Sequence, residues 1–154
     1  MITFSRTMLV GAEIPEQGAV RFHGMLEDRI YAMEIRMDVR ANDGVITGIE
    51  GRMKRYTTPV CPKATDALQN AIGISVREAG WISRINREVG RKGCQHFAEI
   101  LVECGRCLDA ALLANEMAGT PEKDPGREPA DAVRSWIHEH PEAAGKCLAR
   151  PLEG

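Results

Sequence analysis

From Tyr31 to Val39 the chain alternates: Tyr31, Met33, Ile35, Met37 and Val39 are separated by Ala32, Glu34, Arg36 and Asp38. A period of two sends successive side chains to opposite faces, so this stretch can cover a core only as a half-buried β-strand. Asn42-Asp43-Gly44 behind it is a strong hairpin turn, and 45–53 returns as a strand containing Ile46 and Ile49. Upstream, residues 6–14 and 19–26 form a second predicted hairpin around Pro15-Glu16-Gln17-Gly18.

From Pro62 onward the apolar period becomes helical. Ala64, Leu68, Ala71 and Ile72 predict a short helix that stops at Gly73. Ser75-Val76-Arg77-Glu78 matches a capping box, and Val76, Ala79, Ile82, Ile85 and Val89 give the next helix an apolar stripe. Residues 90–93 break it. A long helix is expected from about Cys94 to Met117, with Phe97, Ile100, Leu101, Cys104, Leu108, Ala111 and Leu112 on one face. Gly119 should end it, residues 120–128 read as a linker, and a short amphipathic helix with Val133, Trp136 and Ile137 leads to a Cys147-Leu148 segment. Strands first and helices after predict an α+β fold, an antiparallel sheet of three to four strands with helices packed on one face. Residues 1–118 would form the domain and 119–154 a linker plus helical tail. Trp81 and Trp136 are expected to anchor helices to the sheet.

Composition narrows the function. The 154 residues are 44% apolar and 27% charged, an ordinary balance with enough apolar material for a core. A net charge of −2 and a pI near 6.1 leave no basic surface for nucleic acid. The N-terminus carries no apolar signal region and no run reaches membrane-spanning length, which predicts a cytoplasmic protein without a membrane partner. There an odd count of five cysteines does not read as a disulfide scaffold. No nucleophile-elbow, P-loop or dinucleotide glycine pattern is present.

The chemistry-bearing residues are cysteines at predicted helix starts. Pro62 suits the first helical position, making Cys61 the expected N-cap, and Gly93 frees the backbone ahead of Cys94-Gln95-His96. Helix N-termini favour thiolates. Two thiolates and an imidazole suit a soft metal, and Asp28, before the Tyr31 strand, is a candidate fourth donor. Residues at i and i+2 of a helix diverge, so Cys94 and His96 can share a ligand only if Cys94 stays in the cap. Glu99, one turn on from His96, could orient that ring. Other readings stand beside this one. Cys61 and Cys94 could be half-buried packing residues with His96 on a helix surface, a dithiol pair, or a nucleophile with His96 as its base.

Other motifs carry less. Cys104-Gly105-Arg106-Cys107 is a literal CxxC, but it falls inside a helix with Cys104 on the apolar stripe, where cysteine acts as a small hydrophobe. His138, His140 and His23 read as solvated. Met25, Met33, Met37 and Met53 read as core, or alternatively as an adaptable contact surface of a metal-free interaction module.

Tyr56, Cys61-Pro62-x-Ala64, Leu68, Ile72-Gly73, Val89-Gly90 and Gly93-Cys94-x-His96-x-x-Glu99 together resemble a bacterial domain-of-unknown-function family, number 2889. Gly24-Met25-Leu26-Glu27-Asp28 matches a further element of it. The resemblance implies an α+β domain with no agreed activity. More distantly, Asp28, Cys61 and Cys94-Gln95-His96 follow the order seen in U-type iron–sulfur cluster scaffold proteins, whose corresponding positions bind zinc or a nascent cluster. The scaffold's first cysteine has no counterpart here, since Leu26 stands two residues ahead of Asp28, and the order of the His-Cys pair is changed. That resemblance implies zinc or an iron–sulfur species held by Asp28, Cys61, Cys94 and His96. It also implies a scaffold or accessory role, and with it a protein partner.

Overall fold

The alternation at Tyr31–Val39 becomes the third of four strands: β1 (Arg6–Glu13), β2 (Ala19–Asp28), β3 (Ala32–Arg40) and β4 (Ile46–Arg55). The computed structural model describes residues 1–16, 18–123, 126 and 128–141. The chain divides into two units, Met1–Leu108 and Asp109–Gly154.

In the first unit the strands form an antiparallel meander in sequence order, β1-β2-β3-β4. Register puts Leu26 opposite Met33, Phe22 opposite Met37, Val20 opposite Val39 and Ile49 opposite Met37. All of these are buried, along with Ile35 and Ile46. Burying each large side chain contributes roughly 1.5–3 kcal/mol. The alternate positions form the other face, where Arg21 pairs with Asp38, Arg52 with Glu34 and Arg36 with Glu50 across neighbouring strands. Met33 and Met37 are therefore core, Met53 is half-buried opposite Met33, and Met25 is exposed on the charged face.

Helices cover the apolar face. A 3₁₀ helix (Cys61–Ala71) turns Ala67, Leu68 and Ala71 inward, and α2 (Gln95–Arg106) buries Phe97, Ile100, Leu101 and Cys104. Their approach depends on two strand glycines. A Cβ on Gly24 would strike Ile100 and sit 2.8 Å from the Cys104 sulfur, and one on Gly51 would strike Leu68.

Between these helices the structure departs from the periodicity. No helix starts at Ser75. Its hydroxyl donates to the Asp43 carbonyl at 2.5 Å and Val45 bridges to Ser75, so the residue is tied to the β3–β4 turn instead of capping a helix. Gly80, at φ +80°, then opens a five-residue α1 (Trp81–Ile85), which widens into a π-helical turn over Asn86–Gly90. The long helix is also two helices. α2 ends at Arg106, Cys107 follows, and α3 (Leu108–Lys123) continues past Gly119, the residue expected to end it. Trp81 packs on Gly105 of α2, where a Cβ would lie 2.6 Å from its ring.

In the second unit α3 and α4 (Pro129–Glu139) share a small core of Leu113 and Trp136, flanked by Met117, Val133 and Ile137. Trp136 stacks on His140 with ring centres 4.5 Å apart. The Cys147-Leu148 segment lies outside the described residues. No described helix is long and apolar enough to cross a membrane.

Candidate functional site

The residues singled out in the sequence gather at one end of the sheet, where β2 hands over to β3, β4 ends, and the 3₁₀ helix and α2 begin. Their anchor is Asp28. Its Oδ1 accepts the backbone N–H groups of Ile30 and Tyr31, both at 2.7 Å, closing the β2–β3 turn. Its Oδ2 accepts Arg6 Nε at 2.9 Å and Nη2 at 2.8 Å. The Tyr31 amide bond, helped by Ile30 and Arg6, holds the carboxyl below its ordinary range. Arg55 closes the turn from β4 by donating to the carbonyls of Asp28 and Tyr31.

Arg6 carries the network onward. Its Nη2 lies 3.1 Å from His96 Nε2 and its Nη1 3.5 Å from Glu99 Oε2. The Tyr31 ring packs against the imidazole at 4.5 Å, tilted by 45°. On the far side of that ring His96 Nδ1 faces Cys94 Sγ at 3.9 Å. Cys94 is the N-cap of α2 with an extended backbone, φ −141° and ψ 125°, the geometry its pairing with His96 requires. Gly93 makes the approach possible. A Cβ there would lie 2.5 Å from Ala67 and 2.9 Å from the Ala64 carbonyl of the 3₁₀ helix. The Cys94 N–H bonds back to the Val89 carbonyl of the π-helical turn at 3.2 Å.

Cys61 has different company. Val60, not Cys61, is the N-cap, because Cys61 is already the first helical residue. Its half-buried sulfur lies 3.3 Å from Thr58 Oγ1 and 3.7 Å from Thr57 Oγ1. The Thr58 hydroxyl, with the Thr58 amide and the Thr57 hydroxyl, pulls the thiol from 9.0 down to about 7. At neutral pH a large share of it is thiolate. The CxxC cysteines behave oppositely. Cys104 is fully buried and its thiol is pushed up to about 12 by burial, and burial also raises the half-buried Cys107.

The structure therefore brings Asp28, His96, Glu99 and Cys94 into one network, and it holds Cys61 by its own threonines. Among the described residues no three His, Cys, Asp or Glu side chains form a group that could hold a metal ion. Both Asp28 oxygens are taken, one by two amides and one by a guanidinium. In this arrangement the donors present do not fit zinc or a cluster. Sequence reasoning missed Arg6, although a signal existed. The Pro15–Gly18 turn sets the hairpin register, and that register places Arg6 opposite Asp28.

The fold and site define a class: a four-stranded meander backed by helices, with a polar network and two thiols at one sheet end. The chain belongs to the family described as protein of unknown function (DUF2889), whose model matches residues 10–108. That span contains Asp28, Cys61, Cys94, His96 and Glu99, and Arg6 lies ahead of it. No curated protein and no solved structure matches the chain.

Proposed function

We propose that this domain works through a nucleophilic thiol, Cys61, which exchanges with small-molecule disulfides. The observation that carries the reading is the seat of that sulfur, half-exposed at a helix start within reach of two threonine hydroxyls. Both hydroxyls can donate to a thiolate, and a charge-assisted bond of that kind is stronger than its neutral counterpart. Exchange is the reaction such a site suits best. The thiolate attacks one sulfur of the disulfide, a protein mixed disulfide forms, and the other half departs as a thiolate. That step needs a charged sulfur and a good leaving group but no general base beside the nucleophile. The test is the pH profile of iodoacetamide labelling at Cys61 in the native protein, followed by peptide mass. The rate should reach half its maximum near pH 7. A midpoint near that of an ordinary thiol overturns the reading.

A second reading, a mononuclear zinc or iron–sulfur site using Asp28, Cys61, Cys94 and His96, is favoured by one observation. Gly93, next to Cys94, packs on Ala64 and Ala67 of the 3₁₀ helix that Cys61 opens. It requires Asp28 to leave Arg6 and the four donors to converge. Zinc titration against a chromophoric chelator separates the two. One tightly held equivalent that is lost in Cys61→Ser supports the metal, and no uptake above the chelator leaves the thiol reading in place.

A further inference from the structure

We infer that Arg6 is a positioning residue: it holds His96 with its proton on Nδ1 and turns that N–H onto the sulfur of Cys94, making Cys94 a second working thiol. The inference rests on the thiol reading only in treating sulfur as the working group, and its geometry stands alone. A guanidinium has donors and no acceptor. With Arg6 Nη2 at 3.1 Å, His96 Nε2 must accept, so the proton of a neutral imidazole sits on Nδ1. Nδ1 is the atom that faces Cys94 Sγ at 3.9 Å. This is the reverse of the arrangement in which a histidine waits as base for a thiol proton. Here the ring is a fixed donor to the sulfur, and the partner it serves best is the thiolate.

Every link in the chain is held. Arg6 reaches Asp28 Oδ2 through two nitrogens, and Asp28 Oδ1 is fixed by two backbone amides, so the guanidinium cannot easily rotate. The Asp28 side chain is fully buried. Tyr31 packs on the imidazole and opposes a ring flip. Among the described residues Arg6, Tyr31 and Cys94 contact His96, with Asp28 and Glu99 both on Arg6. Arg6 is the first residue of β1 and lies outside the family match, so this donor comes from a part of the chain that the matched segment lacks.

The test reads the tautomer and the sulfur separately. Nitrogen-15 spectra of the wild-type protein at pH 8 should show His96 protonated on Nδ1 and bare on Nε2. In Arg6→Leu the ring should move toward the Nε2–H form, and iodoacetamide labelling of Cys94 should slow about fivefold to tenfold. Cys61 labelling should stay unchanged in that variant. Arg6→Lys, which keeps a donor, should restore part of both signals. A wild-type ring protonated on Nε2 overturns the inference, and it needs no variant to fold. An Nδ1–H ring whose Cys94 labels equally fast with and without Arg6 overturns the role given to Cys94. Failure of the Cys61 reading shows elsewhere, in the Cys61 pH midpoint, and leaves these results standing.

Discussion

The two ends of α2 carry the same element, sulfur, in different surroundings. At its N-terminal end Cys94 is a half-buried cap beside a histidine, and Cys61 opens a separate helix with its thiol near 7. At its C-terminal end Cys104 sits under Gly24 with its thiol near 12, and Cys107 closes the helix. The spacing at the second end is the one a motif search would choose. Chemistry follows solvation and hydrogen-bond partners, so the isolated Cys61 has a lowered thiol while burial raises both cysteines of the pair.

The largest expected effect is kinetic. At pH 7, thiols near 7 and near 12 put the thiolate fraction of Cys61 above that of Cys104 by between four and five orders of magnitude. The lower intrinsic nucleophilicity of the less basic sulfur returns about two of these. Native-state iodoacetamide labelling should therefore favour Cys61 by at least about a hundredfold before burial adds its own protection. Comparable rates at the two cysteines would erase the contrast.

Stability should show the same asymmetry with the sign reversed. Cys104→Ser places a hydroxyl in an apolar pocket and should cost about 2 kcal/mol in chemical denaturation. Below pH 7, where the thiol is protonated, Cys61→Ser should leave the midpoint unmoved, because the threonine hydroxyls meet water as readily. Equal costs would mean that Cys61 is a packing residue after all.

Asp28 offers a sharper cut within the first end. Asp28→Asn keeps an oxygen for the Ile30 and Tyr31 amides but turns an NH2 donor toward Arg6, losing both the charge and the acceptor there. Asp28→Ala strands two amides and a guanidinium. Thermal melting should rank wild type above Asn, and Asn well above Ala. An alanine variant as stable as the asparagine variant would show that the turn holds itself.

The smallest effect concerns Thr58. Because its hydroxyl is the largest cause of the lowered Cys61 thiol, Thr58→Val should move the labelling midpoint up from about 7 toward the ordinary value, and Thr57→Val should move it less. The sign for folding follows. A thiol lowered in the folded state stabilises that state as pH rises from below 7 toward 9.0, and the contribution is lost as pH falls through about 7. A midpoint indifferent to both threonines would place the cause elsewhere.

Legibility followed the physics of each element. The sheet was readable because one face is dry and the other wet, and a period of two records that difference residue by residue in 31–39. Cys94 as the α2 cap was readable because Gly93 and the stripe behind it are local signals. The stretch 75–90 misled because Ser75 bonds to Asp43, a residue more than thirty positions away, and a capping pattern cannot register that competitor. Cys61 fell one position inside the helix for a related reason, as Pro62 is tolerated in either of the first two helical positions. Arg6 escaped because its role appears only after strand register and helix packing bring three segments together.

The account stands on Cys61 being the sulfur that reacts. Native protein incubated with glutathione disulfide at pH 7, then digested and mapped by mass without reductant, tests this directly. The account predicts a glutathione adduct whose earliest appearance is on the Cys61 peptide. An adduct forming first on Cys107, or none forming while the unfolded chain reacts freely, would contradict it.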